Sequence, residues 1–258
     1  MQVIILCGGK GTRLHEETGT RPKPLVEVGG KPILWHIMQI YAAAGYRDFV
    51  LCLGYLGHQI KDYFLHYDEM NSDFTINLKT QQRRMLRPHC ENWNVTLVDT
   101  GQETQTAERL MRVLPYLKGE RAMVTYGDGV ADIDVRALVK YHRAQKKLGT
   151  VTGVRPASRF GELRMTGNLV TTFSEKPQVD DGWINGGFFV FERRFLTHYL
   201  QAGVMLERQP LERLAADRQL SIYRHEGFWR CMDTYRDWQS LNEQYASGDA
   251  PWLKGGTR

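Results

Sequence analysis

The 258-residue chain has little cysteine, only four residues. Cys7, Cys52, Cys90 and Cys231 form no CxxC pair and have no histidine at zinc-ligand spacing. A disulfide scaffold and a structural zinc site are therefore excluded, and a reducing, cytoplasmic setting is expected. Cys7 and Cys52 lie inside apolar runs, where cysteine acts as a small core residue. No apolar run reaches the ~20 residues that span a bilayer, so no membrane partner is expected. Met1-Gln2-Val3-Ile4-Ile5-Leu6-Cys7 lacks a basic leader and runs straight into glycines. It reads as a first strand, not a secretion signal. Charge of one sign is also scarce. The net charge is +5, and the basic residues are spread out apart from short pairs such as Arg83-Arg84 and Lys146-Lys147. A nucleic-acid partner is not expected on that basis.

What is present is alternation. Strands at 3–7, 49–53, 95–98 and 122–126 are separated by helical stripes. One carries Ile33, Ile37, Ile40, Tyr41 and Ala44 between Pro32 and Gly45. Others fall on Ile60, Phe64 and Tyr67, on Leu110, Val113, Leu114 and Leu117, and over 135–147. This pattern predicts an α/β fold, a mostly parallel mixed sheet with helices on both faces. From 149 onward strands dominate: 150–154, 162–165, 169–173, 186–191 and 220–225. Short helices are expected near 193–200 and 210–217, and a terminal helix at 235–245. With no repeat or linker, one domain spanning 1–258 is expected. Its nucleotide-binding half is 1–148, and its acceptor-binding half with the C-terminal helix is 149–258.

The first strand feeds Gly8-Gly9-Lys10-Gly11-Thr12-Arg13-Leu14. Glycines beyond a strand's carboxyl end let backbone N–H groups approach phosphate oxygens. The spacing matches neither a Walker A loop nor a dinucleotide fingerprint. Arg21-Pro22-Lys23-Pro24 follows, then Gly29-Gly30-Lys31-Pro32. A lysine between prolines is expected on a stiff, extended segment that points its ammonium at the loop. Arg13 and Lys23 are the candidate catalytic cations, able to neutralise a triphosphate and the charge that develops in phosphoryl transfer. Further on, Tyr126-Gly127-Asp128-Gly129 closes a buried strand. Asp128 there is either a hard-cation ligand or an Asx turn.

Gly-Gly-x-Gly-Thr-Arg-Leu, Lys-Pro and Gly-Gly-Lys-Pro-Ile-Leu, in this order, resemble the signature of the sugar-1-phosphate nucleotidyltransferases. The motif order covers nearly the whole chain. Leu34-Trp35-His36-Ile37-Met38, the stretch Asn92-Trp93-Asn94 to Gly101, Arg159-Phe160-Gly161 and Met232-Asp233-Thr234 resemble the cytidylyl branch acting on glucose 1-phosphate. The resemblance implies a Rossmann-like (GT-A-like) nucleotidyltransferase fold. It implies that CTP and a sugar 1-phosphate are joined with loss of pyrophosphate by in-line displacement, with Mg²⁺ as cofactor and a homo-oligomeric assembly. It assigns Leu6, Cys7, Gly8, Gly9, Lys10, Gly11, Thr12, Arg13, Lys23, Thr104, Arg109 and Gly127 to the nucleotide. Tyr126, Glu175, Lys176, Asn185, Gly186 and Gly187 go to the acceptor, and Asp128 and Asp233 to the metal. By its place alone Asp233 could equally belong to the N-cap region of the terminal helix. Where the cytidylyl pattern has a glycine pair, this chain has Ala107-Glu108. Glu108 either faces the acceptor pocket or decorates a helix start. Two other classes remain open at this stage: a non-catalytic nucleotide or sugar-phosphate sensor on the same fold, and a Rossmann-type oxidoreductase or epimerase. The missing dinucleotide fingerprint weighs against the latter.

Overall fold

The computed structural model describes residues 1–11, 14, 19–87, 91–155, 162–166, 169–174 and 182–254. An eight-stranded sheet forms its centre. In chain order its strands are β1 (Gln2–Cys7), β2 (Asp48–Leu53), β3 (Asn94–Asp99), β4 (Arg121–Tyr126), β5 (Gly149–Val154), β6 (Ile184–Asn185), β7 (Phe189–Glu192) and β8 (Leu220–His225). β1 runs parallel to both β2 and β4, and β2 parallel to β3. β7 is antiparallel to β4 and to β5, whereas β8 joins β5 in parallel. The mostly parallel mixed sheet expected from the alternation is thus observed.

Side chains of β1 point alternately to the two faces, as a period of two requires. Val3, Ile5 and Cys7 share one buried cluster with Ile33 and Ile37 of α1 (Ile33–Ala43). Ile4 and Leu6 meet Leu110 and Val113 of α2 (Thr106–Val113), with Phe191 and Phe195. Complete burial of such side chains stabilises by roughly 1.5–3 kcal/mol each, so both faces must be covered. α3 (Val135–Gln145) starts on Asp134, whose carboxylate accepts from Ala137 N at 2.9 Å. It ends at Gln145 because Lys146 turns left-handed, φ 52°.

Two expected boundaries moved. The strand expected over 186–191 begins only at Phe189, as β7, and 184–185 pair separately as β6. Between them Gly187 and Phe188 take φ of +77° and +45°, which no strand accommodates. Helix α1 begins after Pro32, which stands at the N-cap following a two-residue strand, Lys31–Pro32. The strands expected at 162–165 and 169–173 pair as a separate ribbon, Glu162–Thr166 with Leu169–Ser174, and further small ribbons were not expected. Gly129–Ala131 pairs with Trp229–Cys231, and Asp73–Ile76 with Arg83–Arg87. Among the described residues, no helix is long and apolar enough to cross a membrane.

Candidate active site

The chain leaves β1 towards β2 and β3 on one side, then returns as β4 on the other. This reversal opens a crevice at the carboxyl ends of β1 and β4. Leu6 lies opposite Tyr126, and Gly127 N donates to Leu6 O at 3.1 Å. A Cβ on Gly127 would come within 2.9 Å of that oxygen, so the close approach needs glycine. Over these strand ends lies a cavity of about 320 Å³. Leu6, Cys7, Gly8, Gly9 and Gly11 line one wall, and Tyr126, Gly127 and Asp128 another. Lys23, Thr104, Arg109 and Asp233 complete the set of expected residues found there. Lys10 stands aside, paired with Glu103 at 2.7 Å. Thr12, Arg13, Glu175 and Lys176, four of the expected site residues, lie outside the described residues.

Lys23 differs from its expected placement. Pro22 is extended, but Lys23–Leu25 forms a single 3₁₀ turn. Its Nζ donates to Asp128 Oδ2 at 2.7 Å and to Asp233 Oδ1 at 2.9 Å, not to the glycine loop. Burial by itself would lower its pKa. The Asp128 charge and the bonds to both carboxylates outweigh burial and hold the ammonium well above the usual lysine range. The aspartates, 105 residues apart in sequence, are joined by the small ribbon. Gly129 pairs with Cys231, and Met232 N donates to Asp128 O at 2.8 Å. The helix N-cap is Thr234, not Asp233. Thr234 forms a capping box with Asp237 at the start of α4 (Tyr235–Ala246). Asp233 is thereby left to face Lys23.

Carboxylate oxygens of Asp128 and Asp233 and the Cys231 sulfur lie within 4.8 Å of one another. Two carboxylates are a donor set suited to a hard divalent cation, and the thiol would be the softer neighbour. An ammonium already sits between the two carboxylates, so the pair demonstrably accommodates positive charge.

Arg109 is nearly buried, at 4% exposure. Its guanidinium donates to the carbonyls of Gly8, Leu53, Gly101 and Gln102 and to Thr100 Oγ1, at 2.8–3.2 Å. It lines the cavity, yet these donors clamp the glycine loop to the ends of β2 and β3. A Cβ on Gly8 would fall 2.1 Å from Arg109 Nη1. That glycine thus serves the arginine as much as any ligand. One residue earlier, Glu108 accepts from Gly203 N at 3.0 Å and from Arg112 at 2.7 Å. The Gly203 N–H and then Arg112 hold its carboxyl below the usual range. It ties α2 to a neighbouring loop, and the pocket-facing alternative is not what the structure displays.

At the end of β4, the Tyr126 hydroxyl accepts from Asn185 Nδ2 at 2.9 Å and donates to Glu207 Oε1 at 2.7 Å. Asn185 Oδ1 in turn receives Gly187 N at 2.9 Å. Asn185 therefore supports Tyr126 and Gly187 fixes Asn185, while Gly186 bonds Thr152 and Trp229; none of the three lines the cavity. Glu207 was not expected. Its other oxygen accepts from Thr106 Oγ1 at 3.0 Å, and Thr106 also lines the cavity. The only hint in the sequence is a carboxylate in Leu206-Glu207-Arg208, which has no distinguishing spacing.

These features belong to one class. The profile of the Nucleotidyl transferase family matches residues 2–229, and the chain belongs to that family. Among curated relatives, the glucose-1-phosphate cytidylyltransferase of Salmonella typhimurium is 45% identical over 253 residues, 98% of each chain. A mannose-1-phosphate guanyltransferase of Hypocrea jecorina is 28% identical over 96% of this chain and 65% of its own. Among solved structures, HddC from Yersinia pseudotuberculosis superposes with a TM-score of 0.70 at 20% identity, covering 95% of this chain and 99% of that one. That likeness concerns the fold.

Proposed function

We propose that the chain is a sugar-1-phosphate cytidylyltransferase that makes a CDP-sugar, CDP-glucose in the first instance, and pyrophosphate from CTP and the sugar 1-phosphate. The observation that carries this is the 45% identity to a glucose-1-phosphate cytidylyltransferase along nearly the full length of both chains. The crevice supports it, because a glycine loop, a lysine and two aspartates converge there.

In the reaction an acceptor phosphate oxygen bonds to the α-phosphorus of CTP, and the bond to the β-phosphate bridging oxygen breaks. The attacking oxygen is already anionic, so the protein needs to supply position and countercharge rather than a base. The glycine loop, Gly8, Gly9 and Gly11, is assigned to the phosphate oxygens in this reading. Lys23 supplies one positive charge, and Arg13 a second in this reading. Asp128 and Asp233 would hold a divalent cation, Mg²⁺ by the hardness of their oxygens. Such an ion supplies charge neutralisation of the triphosphate. Tyr126, held by Asn185 and Glu207, borders the acceptor, and Glu175 with Lys176 is assigned to the sugar and its phosphate. We read residues 1–258 as one domain acting in the cytoplasm as a homo-oligomer; strands before and after residue 149 share one sheet.

The test is a matrix of nucleoside triphosphates against sugar and polyol phosphates, scored by pyrophosphate release. CTP with glucose 1-phosphate should give the highest kcat/KM. A higher value for another nucleotide or another acceptor would overturn that assignment.

A further inference from the structure

The ammonium of Lys23 and a divalent cation have claims on the same oxygens. Lys23 Nζ touches Asp128 Oδ2 and Asp233 Oδ1, and among the described residues it has no other partner. Both carboxylates are only partly exposed, 26% and 14%, so water screens them incompletely. A divalent ion ligated by these oxygens would sit in contact with the ammonium if the lysine stayed. Like charges at that separation repel, and each oxygen's lone pairs would be divided between them.

We propose that Lys23 is the resident counter-ion of the Asp128–Asp233 pair in the ligand-free enzyme, and that it yields the pair to the divalent cation and passes to the nucleotide's phosphates. This rests on the reading of Asp128 and Asp233 as the cation's ligands. The backbone allows the exchange. Pro22, Pro24 and the 3₁₀ turn fix where the side chain starts, and Lys23 shares one cavity with Gly8, Gly9 and Gly11. Rotation about side-chain bonds is the motion that would carry Nζ from the carboxylates to the loop. A lysine ammonium is protonated at neutral pH wherever it meets water or anions, so the charge travels with it. The exchange has a thermodynamic consequence. Without nucleotide, the cation must displace Lys23 into water. With nucleotide, the phosphates receive it. Cation and nucleotide therefore reinforce each other's binding by the same factor. The carboxylates also never face one another uncompensated, which a partly buried like-charge pair disfavours.

The experiment uses Mn²⁺ alone, titrated into the full chain without nucleotide, with free ion followed by its EPR signal. Lys23→Met and Lys23→Gln should bind Mn²⁺ about tenfold more tightly than the wild type, within the usual range of coupling. Lys23→Arg keeps the charge and should bind as weakly as the wild type. Adding Asp128→Asn to Lys23→Gln should erase the gain. The glutamine variant guards against misfolding, since it keeps a polar side chain with N–H donors on the same stem. Equal Mn²⁺ affinity in wild type, Lys23→Met and Lys23→Gln, with Asp128→Asn weakening all three, would overturn the exchange and leave the metal ligands standing. Equal affinity that Asp128→Asn does not change would overturn both. Pyrophosphate release by the wild type in excess chelator would separately refute the metal requirement.

Discussion

Replacing Arg109 by methionine separates two roles that the crevice leaves adjacent. As a ligand-binding arginine, Arg109 would affect nucleotide affinity and little else. As a clamp, it would affect stability first. The structure gives it five hydrogen bonds, four to carbonyls and one to the Thr100 hydroxyl. Bonds from a charged donor contribute roughly 1.5–3 kcal/mol each in isolation, but such values do not add. The carbonyls beside the cavity regain water once the guanidinium is gone, and methionine keeps the apolar stem. A net loss of about 3 kcal/mol is the reasoned figure. For a domain of this size that is roughly 6–12 °C in thermal midpoint. Calorimetry gives the midpoint, and steady-state kinetics give KM for CTP. The expected result is a midpoint lowered by several degrees together with a raised KM, because Gly8 loses its anchor. An unchanged midpoint with a raised KM would refute the clamp and make Arg109 a nucleotide ligand only.

Glu207→Gln leaves one of the two hydroxyls facing an amide N–H₂ instead of an oxygen, so Tyr126 or Thr106 loses its acceptor. The acceptor kcat/KM should fall about tenfold, equivalent to ~1.4 kcal/mol, with KM for CTP nearly unchanged; equal losses for both substrates would show a general disturbance instead. His36 supplies the pH test. Its buried ring accepts from Trp252 Nε1 at Nδ1 and donates from Nε2 to Val28 O, so it is neutral in the fold. Burial pulls its pKa down to about 4. Between pH ~6.5 and ~4 the unfolded chain binds the extra proton and the fold does not. Stability from this group is thus complete above pH ~6.5 and is lost as pH falls towards 4, by ~3 kcal/mol at most. The slope of thermal midpoint against pH in this window should flatten in His36→Gln, and an unaltered slope would place the titration elsewhere.

How much of this was legible in the sequence depends on the range of the interactions. β1, β2 and β4 are short buried runs between turn residues, and α1 carries a period of 3.6 with glycine just beyond its end. Such local signals suffice to place strands and helices. The late start of β7 was hidden because Phe188 continues the apolar run of Phe189, Val190 and Phe191. Phe188 has a positive φ, which its side chain disfavours, and it is completely buried against Tyr41, a long-range contact that local sequence does not encode. Ribbons of two or three residues, such as Gly129–Ala131, carry too few positions for any period to register.

The candidate site divides along the same line. The residue types came from motifs, because a glycine loop and a strand-end aspartate are local chemistry. Their partners did not. Nothing near Lys23 in the sequence says that its ammonium joins Asp128 and Asp233, since that contact spans 105 and 210 residues. It exists because the Gly129–Cys231 pairing folds the C-terminal segment back over β4. Likewise the acidic replacement at Glu108 looked informative for the acceptor, because a carboxylate near an anion site is costly. Its cost is met locally by Arg112 one turn on and by the Gly203 N–H. A departure from a motif therefore speaks about substrate only after its own side chain has been traced to its partners. Here the tracing moves attention from Glu108 to Glu207. No motif marks Glu207, yet its two oxygens hold Tyr126 and Thr106, both of which line the cavity.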